Sequence, residues 1–480
     1  MPMNLAAVMP EIALLTAACA ILVLDLFLRD ERRAVSYWLT QAALLGTAWY
    51  VLATANAASS RAFGNMVVDD MLTDLLKLAA LLAVSAGLFY GRQYLAARGL
   101  FRGETFVLML FAALGMMVMI SANHFLLLYL GLELMSLSLY ALVALHRGAP
   151  SASEAAMKYF VLGAMASGLF LYGTSMIYGA TGTFDVDLAM RATLAGSANR
   201  LLLVVGLVFA LSGIAFKLGA VPYHMWVPDV YQGAATPVTL LIGTAPKLAA
   251  FALTLRVLAG ALAGVEFDWQ RMLIVLALLS MVLGNFTAIA QTSVKRMLAY
   301  STIANMGFML MGFLAADLNG LSAALFYAIT YVLTSLAAFG VILLLTREGF
   351  ECERLDDLRG LNRRSPWWAF IMLLAMFSLA GVPPTVGFYA KFAVIEAAVN
   401  AQYVWLAVAA VLASLVGAFY YLRVVKLMYF DDPVDDAPIE ARGDAQAILS
   451  VNGLALLALG ILPQPLMGLC AVALMQAKFL

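Results

Sequence analysis

The sequence predicts an all-α polytopic membrane protein of about 14 transmembrane helices, with two inverted five-helix repeats (helices 4–8 and 9–13) and broken helices 7 and 12. Three observations carry this expectation. Apolar runs of roughly twenty residues recur from end to end, each long enough to cross a bilayer, in a chain that is 64% hydrophobic and 12% charged. Basic residues concentrate in every second loop. A proline-containing motif occurs twice, five helices apart.

The runs fall at 5–28, 36–55, 71–91, 105–121, 124–145, 154–179, 201–230, 237–260, 270–290, 297–315, 320–346, 367–398, 403–428 and 446–475. The first is too long for a signal-peptide core and carries Glu11 and Asp25, so a cleaved leader is not expected. Loops after the odd-numbered runs hold 17 lysines and arginines, from Arg29 to Arg442. The alternate loops and the tail hold 5: Arg61, Arg191, Arg200, Arg271 and Lys478. The positive-inside rule puts the first set in the cytoplasm and both termini outside.

Phe216-Lys-Leu-Gly-Ala-Val-Pro-Tyr-His224 aligns with Phe377-Ser-Leu-Ala-Gly-Val-Pro-Pro-Thr385, pairing Phe216 with Phe377 and Pro222 with Pro383. Proline removes a helical hydrogen bond and clashes with the preceding turn, so both segments read as broken helices. A five-helix unit is odd in number, so its second copy enters the membrane the other way up, as in inverted-repeat transporters. The expected units are 1–104, an N-terminal three-helix segment; 105–262 and 263–430, the two repeats; and 431–480, a cytoplasmic loop with the C-terminal helix.

Charges inside these runs are the candidate functional residues. A charge at mid-bilayer costs at least ~2.5–3.5 kcal/mol, so a row of them reads first as a proton or ion path. Lys217 precedes the first break and either binds the carbonyls freed there or titrates. Glu133 has no basic residue within reach on its own helix, so it is protonated or paired across helices, and Lys217 is the expected partner. Lys247 follows Pro246 at mid-helix, beside the carbonyl of Ile242 that the proline leaves free. Lys391 lies past the second break, as a conductor or as a lysine reaching the outer face. Lys158 opens helix 6 as an anchor or a functional group. His224 suits a relay, since histidine titrates near neutrality. Asp74 and Lys77 are three apart and expected to pair with each other. Trp367 and Trp368 read as an interfacial belt, and the run 351–364 as a solvated or partner-docking loop. Cys19, Cys352 and Cys470 are far apart, and His124, His146 and His224 lack haem-pair spacing. Iron–sulfur, haem, dinucleotide-loop and P-loop chemistry are therefore not expected in this chain.

The stretches Gly131-Leu-Glu133-Leu-Met-Ser136, Phe216 to Gly233, Pro246-Lys247 and Ser293-Val-Lys295-Arg-Met-Leu-Ala-Tyr300-Ser resemble the antiporter-like membrane subunits of respiratory complex I. The finer pattern of Met157-Lys158-Tyr-Phe160 and Leu379 to Phe392 is similar to the subunit N branch of that family. The resemblance covers nearly the whole chain. It implies fourteen helices, proton translocation, and no redox chemistry in the chain itself. Flavin mononucleotide (FMN), iron–sulfur clusters and quinone are then expected in partner subunits, the other membrane and peripheral subunits of the complex. A bacterial inner-membrane location follows, with the lipid bilayer as surroundings and no nucleic-acid partner. Carried over residue by residue, it assigns proton transfer to Glu133, Lys217, Lys247, Lys391 and His224, with Lys158 and Lys295 secondary. Asn305 departs from the histidine expected there, and Ala235 from an expected proline. The competing readings are a subunit of a multi-chain Na+/H+ antiporter and a subunit that binds quinone directly.

Overall fold

The computed structural model describes residues 4–29, 32–55, 59–433 and 443–477. Among these, eleven helical segments are long and apolar enough to cross a membrane. Arg442, Lys478 and the loop at 434–442 lie outside the described residues.

The chain opens with α1 (Met9–Asp25) and α2 (Ala34–Thr54), then a short antiparallel hairpin of β1 (Ser60–Ala62) and β2 (Val67–Asp69). Asp70 starts α3 (Met71–Ala97) with a capping box, its carboxylate accepting from Thr73 N at 2.8 Å. Next come α4 (Gly103–Ser121) and α5 (Phe125–Val143), which pack through Gly115 and Gly131. A Cβ on Gly131 would stand 2.6 Å from the Met119 nitrogen, so only glycine lets α5 lie this close. There follow α6 (Pro150–Thr181), the short α7 (Val186–Leu194), α8 (Arg200–Leu218), α9 (Trp226–Gly233), α10 (Thr236–Gly243) and α11 (Ala245–Leu255). A π-helical turn, Arg256–Ala261, leads on to α12 (Glu266–Ile289), α13 (Val294–Phe313) and α14 (Leu318–Leu345). The chain ends with α15 (Leu361–Arg364), α16 (Pro366–Ala380), α17 (Val386–Asn400), α18 (Val404–Phe430), α19 (Gly443–Ile461) and α20 (Gln464–Gln476).

Helix α8 stops where Gly219 turns left-handed (φ 80°), and α16 where Gly381 does the same (φ 82°). Both ends close with a paired glycine-type cap: Gly219 N to Phe216 O with Ala220 N to Ala215 O, and Gly381 N to Ser378 O with Val382 N to Phe377 O. These caps correspond at an offset of 162 residues. That is one residue more than the offset at which the two Phe-x-Leu-x-x-Val-Pro motifs align.

Burial orders the bundle. The segment Thr236–Ala261 is 100% buried in its apolar window and Leu318–Leu345 94%, against 39% for Pro150–Thr181 and Val404–Phe430. The first two form the protein-lined centre, and the others face outward with side chains such as Met165, Leu415 and Phe419.

Four expectations are corrected. The run at 237–260 is interrupted at Thr244, ahead of Pro246. The run at 446–475 is two helices, because Pro463 cannot continue the first. The segment 351–364 folds back on the bundle, burying Cys352, Leu355, Leu358 and Leu361. Trp368 is buried, whereas Trp367 is exposed.

Candidate functional site

The polar groups of the apolar centre gather at the two helix breaks. Lys217 occupies the last turn of α8 and is buried. Its ammonium donates to Ser136 Oγ at 2.7 Å and Tyr140 OH at 3.4 Å, both on α5. Glu133 lies one turn before Ser136 on the same helix and interacts electrostatically with Lys217. The expected direct ion pair is absent among the described residues, and Glu133 Oε1 has no hydrogen-bond partner in the protein. Ser136, one turn further along α5, takes the ammonium instead, and its own hydroxyl donates to Leu132 O.

Lys247 is 1% exposed. Its Nζ donates to the carbonyls of Lys217 at 3.2 Å and Leu218 at 2.9 Å. These are the last carbonyls of α8, left without helical partners by the break. The lysine thus reaches across to a neighbouring helix and not to Ile242, as its own proline suggested. Trp226 places its ring 5.4 Å from the same ammonium.

Lys391 repeats the arrangement. It is buried and donates to Leu379 O at 2.9 Å, Ala380 O at 3.0 Å and Ser414 Oγ at 3.1 Å. It does not reach the outer face. Residues 379 and 380 stand 162 positions after 217 and 218, so each lysine holds the end carbonyls of a helix that closes with the same kind of cap. The partial negative charge of a helix C-terminus is a favourable place for an ammonium withdrawn from water.

Beside the second break lie three side-chain hydrogen bonds that the sequence reading missed. Tyr327 OH donates to Asn305 Oδ1 at 2.7 Å, Tyr331 OH to Thr302 Oγ1 at 2.7 Å, and Thr334 and Ser378 hydroxyls meet at 2.9 Å. A cavity of about 10 Å³ is bordered by Asn305, Tyr327, Thr334, Ser378 and Leu379. It has the size and polarity to seat one water. The available signal was the spacing of Tyr327, Thr330, Tyr331 and Thr334 on one face of an otherwise apolar helix.

Lys158 and Lys295 lie elsewhere, at a polar cavity of about 510 Å³ at one end of the bundle. Lys158 pairs with Asp229 at 2.7 Å and Glu154 at 2.8 Å; Asp229 also binds Arg296 at 2.8 Å. Lys295 is buried against Glu351 at 3.0 Å, and Arg98 meets the same carboxylate at 3.3 Å. His224, between α8 and α9, bonds neither Lys217 nor Lys247, and its Nδ1 has no partner. Among the described residues, no three His, Cys, Asp or Glu side chains converge as metal ligands.

Burial alone would raise the Glu351 carboxyl, but Lys295, with Thr236 and Arg98, outweighs it and holds the group below the usual carboxylate range. A carboxylate whose value is depressed by folding stabilises above its unfolded value, and that contribution is lost as pH falls through the folded one. Glu351→Gln is accordingly expected to lower the melting temperature of the solubilised protein at neutral pH. The gap from wild type should close as pH drops below about 4, and a gap independent of pH would refute the ion-pair assignment.

Comparison with known proteins agrees with this geometry. A family model described as "NADH:quinone oxidoreductase/Mrp antiporter, TM" matches residues 122–417, and the chain belongs to this family. It is 58% identical over 487 residues to NADH-quinone oxidoreductase subunit N of Herminiimonas arsenicoxydans, covering 99% of each chain. A chain of respiratory complex I from Thermus thermophilus matches with TM-score 0.83 and 34% identity, over 97% of this chain and 100% of that one. A chain of the Mrp complex from Dietzia sp. DQ12-45-1b shares the fold, with TM-score 0.82 and 22% identity, over 98% and 97%.

Proposed function

We propose that this chain is the proton-translocating subunit N of a bacterial NADH:quinone oxidoreductase. The observation that carries the reading is full-length identity of 58% to a protein of that name. The two lysine-capped helix breaks supply the means. In this reading the chain crosses the inner membrane fourteen times, as two inverted five-helix units, 105–262 and 263–430, behind a three-helix segment, 1–104. A final unit, 431–480, holds the last loop and C-terminal helix. Both termini face the periplasm. The excess of basic residues in the loops at that end supports a cytoplasmic position for the 510 Å³ cavity, with Lys158 and Lys295.

Protons enter there and reach Lys217, whose affinity follows the charge on Glu133. They then pass Lys247, with His224 assisting through water, and the Asn305–Tyr327 pair leads to Lys391. Quinone reduction in partner subunits, which carry FMN and the iron–sulfur clusters, supplies the energy by altering charge or hydration beside Glu133. One pKa unit corresponds to 1.36 kcal/mol, so making or breaking one buried charge contact is sufficient to move a proton.

A tagged copy of the chain, expressed in its native host and purified in mild detergent, is expected to bring down NADH:quinone reductase activity. An eluate that lacks this activity and catalyses Na+/H+ exchange in vesicles would overturn the assignment in favour of an antiporter.

A further inference from the structure

Away from the lysine line, a groove of about 710 Å³ runs between α3, α14 and α19, with Leu45 of α2 on its rim. The rim faces outward: Leu82 is 46% exposed and Val451 69%. On the inner side it reaches Leu248 of α11, which is fully buried and follows Lys247 in sequence. Two polar side chains on its walls bond inward. Ser85 Oγ donates to Gln41 Oε1 at 2.6 Å. The Asn452 amide donates to Leu333 O at 3.2 Å and accepts from Ala337 N at 3.1 Å. The groove therefore offers hydrocarbon along its length.

One end is different. The lining stops at Tyr90 on α3 and Ile448 on α19. Just beyond, on the side of the basic loop after α3, Arg92 and Asp444 face each other, Nη1 to Oδ2 at 3.4 Å. The guanidinium lies 4.7 Å from the Tyr37 ring and 5.1 Å from the Trp38 ring, which fix its plane. The Asp444 side chain is 31% exposed, so a group from outside can reach it. Tyrosine and tryptophan beside arginine mark the depth of the lipid headgroups. From that level one leaflet of hydrocarbon, ~15 Å, covers about ten residues of α3 at 1.5 Å each, which ends at Leu82. The lining continues to Leu75, so an acyl chain that starts at the ion pair can lie in the groove for the whole leaflet. An arginine alone would select an anionic headgroup. A carboxylate 3.4 Å away balances it and favours a headgroup that carries both charges.

We propose that this groove binds one phospholipid with a zwitterionic aminated headgroup, chemically a phosphatidylethanolamine. One acyl chain fills the groove, the phosphate accepts from Arg92, and the ammonium donates to Asp444. The guanidinium fork can serve carboxylate and phosphate together. The bound chain passes Leu248 and forms the outer wall of the bundle beside Lys247. This site goes beyond the proton-translocating reading and stands without it.

The test uses the intact complex, purified from its native host in mild detergent, wild type and variants, with assembly checked by subunit content. The probe is phosphatidylethanolamine carrying a diazirine midway along one acyl chain, with phosphatidylglycerol of the same chains as the comparison. In wild type the ethanolamine lipid should label the peptides around Leu82 and Val451 in preference to the glycerol lipid. Ala86→Phe, which fills the groove from its own wall, should remove most of that labelling. Arg92→Gln should lower it about tenfold, through loss of a hydrogen bond to a charged group. Asp444→Asn, which leaves the arginine unbalanced, should turn the preference toward phosphatidylglycerol. Labelling unchanged in both Ala86→Phe and Arg92→Gln would mean exchanging bulk lipid only and overturns the site. Equal labelling by the two lipids in wild type overturns the headgroup assignment and the proposal with it. In native membranes, a cross-link from a Leu82→Cys variant to another subunit would put a protein segment in the groove, and that also overturns it.

Discussion

Lys247→Arg is expected to abolish NADH-driven proton uptake by proteoliposomes nearly as fully as Lys247→Ala, with turnover in coupled membranes falling about tenfold or more, equivalent to a barrier raised by at least 1.36 kcal/mol. Both variants should assemble. Lys247 sits in the most enclosed segment of the bundle, and its ammonium rests on the two end carbonyls of α8. Arginine preserves the charge and can satisfy those carbonyls, so the fold loses little. It cannot give up its proton at any accessible pH, and its planar fork does not match a point-charge site. Charge retention without proton release is therefore the discriminating condition. Acridine-dye quenching on NADH addition reads the outcome directly. An arginine variant that pumps at the wild-type rate would show that Lys247 is a structural cap and nothing more.

Lys217→Ala and Glu133→Ala are expected to produce the next largest loss, again with the complex assembled. Glu133→Asp should be milder, because charge is kept and only reach is shortened. The geometry adds a fourth member to the series. Ser136 accepts from the ammonium, 2.7 Å from Lys217 Nζ. Ser136→Ala should fall between wild type and Lys217→Ala, since it removes the hydroxyl and leaves both charges. The same proteoliposome assay ranks the four variants. Full activity in both alanine variants at 133 and 217 would remove this pair from the pathway.

Much of this was legible in the chain because a membrane punishes exceptions. Each apolar run became a helix or a pair of helices, and lysines in such runs had to find carbonyls or hydroxyls. The break positions followed from glycine and proline. What the sequence could not show was direction. Lys247 had a free carbonyl on its own helix and took two from its neighbour. Lys77 had Asp74 one turn away and took Glu11 from another helix, at 2.8 Å. Both choices depend on which helix lies alongside, which a one-dimensional pattern does not encode. The Tyr327–Asn305 bond was hidden for another reason. Tyrosine and threonine are unremarkable in an apolar helix until a partner hydroxyl stands opposite.

The hydroxyl at Lys391 has a consequence of its own. As an ammonium the side chain has three N–H donors, matching Leu379 O, Ala380 O and Ser414 Oγ. As a neutral amine it has two donors and a lone pair. The two carbonyls can keep their donors while Ser414 rotates its O–H to feed the nitrogen. Ser136 and Tyr140 offer Lys217 the same exchange. The latch on the helix end thus stays fastened whether its bolt is charged or empty, and proton traffic need not loosen the frame that guides it.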